Sequence, residues 1–173
     1  MTTRWELVIT RLRQDVRDGR VRTVGHYQVY HDKVAVAWLK GYTAEPGGPG
    51  DNNHIGNDRR IEAGTYQLGT HDGTRYRTID YGIVQPRPAI EILNTGVRRA
   101  ILFHPGERFL SSIGCINPSG NIGTSDMDIV YGDSRSRVIW TINDMASYIG
   151  RDFPHSNGKV IPNATICING EPC

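Results

Sequence analysis

The first third of the chain alternates apolar and polar residues with the period of two that is typical of β-strands. The alternation predicts a strand over residues 5–12, followed further on by a turn at Asp18-Gly19. Two further β-rich runs, residues 23–30 and 33–39, lie on either side of His31-Asp32 and predict a hairpin. We therefore expect the opening of the chain to form a meander of antiparallel strands.

Two short runs that are apolar throughout lie in the middle of the chain. Residues 89–93 and 100–103 are continuously hydrophobic, which predicts strands that lie centrally in a sheet. Asn94-Thr95-Gly96 supplies a turn between them. Residues 60–69 and 164–168 add two more strand candidates.

One segment has the periodicity of a helix instead. After residues 118–121, which predict a loop, apolar residues recur at spacings of four, three and four, namely Val138, Ile142, Met145 and Ile149. The spacing predicts a helix over residues 134–149, with Asp133 or Ser134 as its cap and Gly150 as its end.

Together these elements predict a single mostly-β domain over residues 1–173, built as a sandwich or meander with one main helix. A chain of 173 residues is long enough to bury a core without a metal or a disulfide. No internal repeat is visible, and nothing in the sequence predicts a second domain.

The charge balance argues against nucleic acid as a partner. Lys and Arg number 20 against 18 Asp and Glu, which gives a net charge of only +2, and the basic residues are scattered. Those from Arg11 to Arg22 are interleaved with Gln14, Asp15 and Asp18, which predicts a solvated hairpin edge.

Neither a membrane span nor a cleaved signal is visible in the sequence. No run approaches the roughly twenty apolar residues that a membrane helix needs. Residues 1–6 lack the apolar core and the cleavage site of a signal peptide. We therefore expect synthesis in the cytoplasm and, for action in the periplasm or cell wall, delivery by a non-classical route.

The cysteines and histidines show no arrangement that is typical of a metal site. Three cysteines cannot all pair within the chain: Cys167 and Cys173 can bridge in an oxidising compartment, or all three stay reduced. The six histidines lack paired spacing, so we expect no metal and no cofactor. No serine-hydrolase elbow or phosphate-binding glycine loop is present.

A candidate nucleophile and a candidate base lie close together in the sequence. The apolar run 100–103 delivers His104 at its end, and Cys115 follows in a turn with Ser112 and Gly114. A thiol gains thiolate character from a nearby imidazole, and glycine lets a backbone approach a substrate closely. Taken singly, Cys115 is more often a small buried hydrophobe, and His104 is more often a structural histidine; their combination with Ser112 and Gly114 favours a functional role.

The combination His104-Pro105-Gly106 and Ser112-Ile113-Gly114-Cys115-Ile116-Asn117 resembles the active-site motif of the YkuD-type L,D-transpeptidases. That motif is a histidine, a loop, and then Ser/Thr-His-Gly-Cys, a hydrophobic residue, and Arg or Asn. Residues 61–68 are similar to the family's preceding Gly-x-Phe/Tyr strand. The likeness covers residues 60–117 and extends to small secreted-effector branches that keep Ser-x-Gly-Cys. Ile113 replaces the family's second histidine, and the loop after His104 is shorter than usual.

The resemblance implies an L,D-transpeptidase-like catalytic domain and a role for each matching residue. His104 would take the proton of Cys115, whose thiolate attacks a carbonyl in a peptidoglycan stem peptide. Backbone N–H groups around Gly114 would hold the oxyanion. Ser112 would orient the turn or contact substrate. Substrate-binding roles are implied for two further residues, Tyr66 and Asn117.

Several outcomes remain open at this level. The acyl-enzyme would react with an amine, giving cross-linking or D-amino-acid exchange, or with water, giving carboxypeptidase cleavage. We expect an antibacterial effector delivered by a secretion system or phage, for which a bacterial producer needs an immunity protein. The main alternative is a non-catalytic β module of a phage or secretion particle, in which Cys115 is structural. A cysteine peptidase acting on ordinary L-peptides is a third possibility.

Overall fold

A computed structural model describes residues 4–78 and 87–172 of the chain. Within these ranges the chain forms eight strands, one α-helix and one 3-10 turn, which confirms the prediction of a mostly-β protein. In chain order they are β1 (Trp5–Arg17), β2 (Arg20–His31), β3 (Val34–Pro46), β4 (Gly64–Thr70), β5 (Ile90–Ile92), β6 (Ile101–Phe103), β7 (Asn117–Ser119), α1 (Tyr131–Ile149), the 3-10 turn (Gly150–Asp152) and β8 (Val160–Asn169).

All eight described strands belong to one sheet, in the order β6-β5-β4-β8-β1-β2-β3-β7. β1, β2 and β3 pair antiparallel, as the predicted meander requires. β8 returns from the C-terminal end of the chain and lies parallel to β1 and antiparallel to β4. The described strands therefore do not form the two-sheet sandwich that was one form of the prediction.

The two ends of this sheet meet, because β6 runs alongside the residues that lead into β7. Phe103 and Ile116 form an isolated parallel bridge. The His104 N–H donates to the Ile116 carbonyl at 3.0 Å, and the Ile116 N–H donates to the Leu102 carbonyl at 2.8 Å. The sheet thus nearly closes into a barrel. We call this junction, residues 101–104 beside residues 115–117, the seam.

The core lies inside the curled sheet, and α1 packs against it. Alternation along β1 sends Trp5, Leu7 and Ile9 inward, where each is fully buried. α1 contributes three buried residues to the same cluster, Val138, Ile142 and Met145, as the helical spacing predicts. Fully burying side chains of this size contributes about 1.5–3 kcal/mol each, so this contact holds the helix in place.

α1 begins three residues earlier than predicted. Its first residue is Tyr131, and its N-cap is Val130, which makes no side-chain capping hydrogen bond. Gly150 ends the helix as predicted, with a φ of 67°. Among the described residues, no helix combines the length and the apolar character that a membrane crossing requires.

The two residues predicted to cap α1 hold neighbouring chain segments instead. Asp133 accepts a hydrogen bond at 2.7 Å from the N–H of Gly120, just after β7. Ser134 accepts one at 3.0 Å from the N–H of Gly106, just after the seam. The first turn of the helix is thereby tied to both strands of the seam.

Two of the five arginines between positions 11 and 22 are buried, Arg11 and Arg22, which corrects the prediction of a solvated hairpin edge. β1 lies between β8 and β2, so it is not an edge strand. Arg11 is buried and forms a two-pronged pair with Glu45, at 2.7 and 2.8 Å. Arg22 is fully buried beside Asp15 and donates to three backbone carbonyls, those of Phe109, Thr124 and Met127. Arg22 thus anchors the segments that lie between β6 and α1.

Residues 117–119 form strand β7 against β3, whereas the sequence predicts a loop over residues 118–121. Pro118 is tolerated there because β7 is only three residues long and lies at the end of the hydrogen-bonded order. Of the possible Cys167–Cys173 pair, Cys167 is a free thiol and Cys173 lies outside the described residues.

Candidate functional site

His104 follows directly on β6 and points away from the core. Phe103 is fully buried in the core cluster, so alternation sends the next side chain to the opposite side of the seam. The Nδ1 atom of His104 lies 2.7 Å from the carbonyl oxygen of Pro105. Because a carbonyl only accepts hydrogen bonds, Nδ1 carries the proton and Nε2 keeps its lone pair. The Pro105 carbonyl thus orients the imidazole.

The environment of His104 keeps its imidazole neutral. The side chain is only 4% exposed, and the ring of Tyr76 packs against it with centroids 4.4 Å apart. Burial lowers the pKa of His104 from 6.5 to about 4, the hydrogen bond to Pro105 opposes this shift, and the charge of Arg75 adds to it. The imidazole is therefore available as a proton acceptor throughout the neutral range.

Cys115 is hydrogen-bonded to the backbone of β6 and the residue before it. Its sulfur accepts from the Leu102 N–H at 3.3 Å and donates to the Ala100 carbonyl at 3.6 Å. Burial raises the pKa of Cys115 to about 11, although the Leu102 N–H and the charge of Arg98 both act to lower it. The resting protein therefore holds a protonated thiol at this position.

The structure brings His104 and Cys115 to the same side of the seam. Phe103 and Ile116 are paired across it and both point into the core, so their neighbours His104 and Cys115 both point away from the core. No hydrogen bond joins the imidazole to the thiol in the described part of the chain. Catalytic hydrogen bonds often form only when a substrate binds, so the lack of this bond does not decide whether the two residues act together.

The turn before Cys115 presents its backbone N–H groups. The Ser112 hydroxyl donates to the Cys115 carbonyl at 2.6 Å and so fixes the turn. Gly114 has no room for a side chain, because a methyl group there would overlap the guanidinium of Arg98. Within the described ranges, the N–H groups of Gly114 and Cys115 donate to no other residue. These are the groups that the resemblance assigns to an oxyanion, and that role stays a prediction.

Asn117 supports the strand that carries His104. It is fully buried, and its side-chain N–H donates to the His104 carbonyl at 3.0 Å. Its side-chain oxygen is buried and has no partner among the residues that the structure describes. Its position makes it a support for the seam, and its predicted contact with substrate stays a prediction.

Tyr66, the other residue predicted to bind substrate, lies in the core on β4. It is 7% exposed, donates to the Glu62 carbonyl at 2.6 Å and accepts from the Asn52 side chain at 3.0 Å. These partners belong to the segment before β4 and not to the seam. The structure therefore places Tyr66 apart from His104 and Cys115, and its role in binding also stays a prediction.

Arg98 is a site residue that the sequence reasoning missed. It is 4% exposed and donates to the carbonyls of Asp51, Arg59 and Ile113. These hydrogen bonds join the connection between β3 and β4 to the turn before Cys115. Its charge lies close enough to Cys115 to favour the thiolate. Burial lowers the pKa of Arg98, and the proximity of Cys115 opposes this shift. The available signal was a pair of arginines between two apolar strands, which resembles an ordinary solvated turn.

A cavity of about 750 Å³ opens beside the histidine. Its walls come from the connection between β4 and β5, the loop after the seam, and the first turns of α1, with Arg75, Tyr76, Arg87, Glu107, Tyr131 and Arg135 among the lining residues. Tyr76 joins the cavity to the reactive pair, because it lines the cavity and packs on His104. Burial raises the pKa of Tyr76, and the nearby Cys115 adds to the rise.

Metal ligands do not cluster in the described part of the chain. No group of three or more His, Cys, Asp or Glu residues there is arranged to hold an ion. The chemistry of the site has to be argued from the thiol, the imidazole, the backbone N–H groups and the nearby arginines.

Comparison with known proteins adds no relative to this picture. No family model, no curated protein and no solved structure matches the chain. The likeness to the L,D-transpeptidases therefore rests on the local sequence motif alone.

Proposed function

We propose that this protein uses Cys115 for acyl transfer or hydrolysis on peptidoglycan stem peptides, as an L,D-transpeptidase, a D-amino-acid exchange enzyme or an L,D-carboxypeptidase. The observation that carries the proposal is the seam. It places a thiol and an imidazole on the same side of two paired segments, and Pro105 holds the imidazole with Nε2 free to accept a proton. The motif resemblance supplies the substrate class.

The reaction begins with both groups neutral. With pKa values of about 11 for Cys115 and about 4 for His104, the thiolate–imidazolium pair is higher in free energy than the neutral thiol and imidazole. A gap of this size corresponds to roughly 9 kcal/mol before the attraction between the new charges is counted. A standing thiolate–imidazolium pair is therefore not the resting state. We infer that His104 removes the proton as the sulfur attacks, in the manner of general-base catalysis.

The remaining steps follow from this proton transfer. Sulfur forms a bond to the carbonyl carbon, and the oxyanion accepts hydrogen bonds from the N–H groups of Gly114 and Cys115. His104 then returns the proton to the leaving amine as the carbon–nitrogen bond breaks, which leaves a thioester on Cys115. Water or a second amine gives up a proton to His104, attacks the thioester and regenerates the thiol. Ser112 keeps the turn in position throughout.

Purified muropeptides analysed by mass spectrometry test the proposal. Loss of a terminal D-residue indicates carboxypeptidase activity, replacement of that residue indicates exchange, and a joined product indicates transpeptidation. A panel of ordinary L-peptides tests the third possibility, a cysteine peptidase. Cys115→Ser should abolish turnover, whereas the matched change Cys167→Ser should leave it intact. Full activity in folded Cys115→Ser would refute the proposal.

The proposed biological setting is that of an antibacterial effector delivered by a secretion system or phage. An enzyme that acts on the cell wall is harmful only where it meets its substrate. Expression directed to the periplasm should therefore lyse cells, whereas cytoplasmic expression should not, and Cys115→Ser should be harmless in both places. Co-expression of a cognate immunity protein should restore growth. Equal harmlessness of the active protein in both compartments would contradict an effector role.

One observation favours the competing proposal of a non-catalytic β module. The Cys115 thiol is protonated and is hydrogen-bonded to two backbone groups, the Leu102 N–H and the Ala100 carbonyl, as a structural cysteine is. Alkylation separates the two proposals, because the alkylation rate of Cys115 depends on His104 only if His104 acts as its base. If His104 acts on Cys115, His104→Gln should slow iodoacetamide labelling of Cys115 about tenfold or more at pH 7. An unchanged labelling rate would favour the structural role.

A further inference from the structure

The cavity beside the seam is lined by several cations. Among the residues that the structure describes, its lining includes the guanidinium groups of Arg75, Arg87 and Arg135 and the carboxylate of Glu107. Arg75 and Arg87 are exposed, and neither forms an ion pair within the described ranges. Arg75 instead lies over the ring of Tyr76, 5.7 Å from its centroid. Two cations that form no ion pair with a described residue therefore line the same cavity.

These charges lie next to the reactive pair. Tyr76 lies between the cavity and His104: it lines the cavity, and its ring packs against the imidazole with centroids 4.4 Å apart. The backbone of Pro105 and Gly106 forms another part of the cavity wall, and the Gly106 N–H is held by Ser134 in the first turn of α1. A ligand in the cavity is thus bounded by fixed backbone on the side of the seam.

We propose that this cavity is an anion subsite, in which Arg75 and Arg87 bind a free carboxylate of the acyl donor while its scissile carbonyl lies at Cys115. The inference rests on the proposed function and narrows it: the enzyme selects donors with a free carboxylate close to the scissile bond over donors in which that carboxylate is amidated. Guanidinium groups match carboxylates in charge and in planar geometry. A volume of about 750 Å³ accommodates a ligand of dipeptide size or larger.

Two small alkylating agents test the subsite without any knowledge of the natural substrate. Iodoacetate and iodoacetamide place the same reactive carbon on a thiol, but only iodoacetate carries a carboxylate. The rate with iodoacetate is divided by the rate with iodoacetamide, each measured by mass spectrometry on the peptide that contains Cys115. Dividing this ratio by the same ratio for free N-acetylcysteine gives the local preference for anions at Cys115. A general change in thiol reactivity cancels in this ratio.

The expected ratio follows from the charges. Two cations at roughly 10 Å in a solvent-filled cleft favour an anion by about fourfold over a neutral reagent. The Arg75→Gln/Arg87→Gln double variant should lower the normalised ratio about fourfold, leaving the share that Arg98 beside Cys115 contributes, and Arg151→Gln, an exposed change of the same charge outside the cavity, should leave the ratio unchanged. The preference should also shrink between low salt and roughly 0.5 M salt, because ions screen it.

The outcomes separate this inference from the proposed function. A normalised ratio near one in the wild type, or a ratio that the double variant leaves unchanged, would overturn the subsite even if muropeptides are processed. Inactivity on muropeptides with a raised, Arg-dependent ratio would instead overturn the proposed function and leave an anion-binding cavity. Where turnover is seen, kcat/KM for free over amidated donors should fall severalfold in the double variant.

Discussion

The neutral state of His104 makes a quantitative prediction about stability and pH. Burial lowers the pKa of this histidine from 6.5 to about 4. Below pH 6.5 the unfolded chain takes up a proton that the folded chain does not accept until about pH 4, so acidification favours unfolding. Each unit of pKa corresponds to about 1.4 kcal/mol, and the stability that is lost through this one residue amounts to about 2 kcal/mol at pH 5. It approaches about 3 kcal/mol below pH 4.

Urea unfolding at a series of pH values measures this loss. The difference in unfolding free energy between wild type and His104→Gln should change by about 2 kcal/mol between pH 7.5 and pH 5, with the wild type losing more stability. His26→Gln, at an exposed position on β2, controls for the removal of one imidazole. Parallel curves for wild type and His104→Gln would show that the fold does not lower the pKa of His104.

Three further predictions concern the site and its supports. The acid limb of kcat/KM on muropeptides should lie near pH 4 and not near 6.5, because the base is His104 with its pKa lowered to about 4; a limb at 6.5 in a pH–rate profile would contradict this. Gly114→Ala should destabilise the fold by about 1–3 kcal/mol in urea unfolding, because its methyl group overlaps Arg98, whereas Gly132→Ala in the open first turn of α1 should not destabilise it. Arg22→Met should lower the free energy of unfolding by about 3 kcal/mol or more, because Asp15 loses one of its two arginine partners and three carbonyls lose their donor. The exposed change Arg151→Met is the matched control, and equal unfolding midpoints for Arg22→Met and wild type would contradict the expectation.

Local patterns predicted those elements whose burial is decided by neighbours in sequence. The alternation along β1 and the helical spacing of Val138, Ile142 and Met145 both point to faces that the structure buries. The start of α1 was not predictable in this way, since Asp133 and Ser134 bond to segments that are distant in sequence. The burial of Arg11 was not predictable from local patterns either, because it depends on the ion pair with Glu45 of β3.

The sequence motif singles out His104 and Cys115, but it does not predict how the fold arranges them. The two residues are eleven positions apart, and their place on the same side of the seam depends on a parallel bridge between Phe103 and Ile116. That bridge forms only because six other strands carry β6 round to β7, which no local pattern reports. Arg98 was missed for a related reason. A single charged residue in a turn predicts exposure unless the loops that cover it are known.

The position of Cys115 at the seam gives it a structural role as well as a proposed chemical one. Its sulfur receives the Leu102 N–H, next to the place where the Ile116 N–H bonds to the Leu102 carbonyl and extends the ladder. Removing the sulfur leaves that N–H without its acceptor, so loss of activity in Cys115→Ala would confound chemistry with a weakened seam. A serine hydroxyl can still accept the hydrogen bond, but it is a far poorer nucleophile beside a neutral imidazole. Cys115→Ser is therefore the variant that isolates the chemistry: wild-type stability with no turnover assigns the loss to the nucleophile, because the seam is then intact.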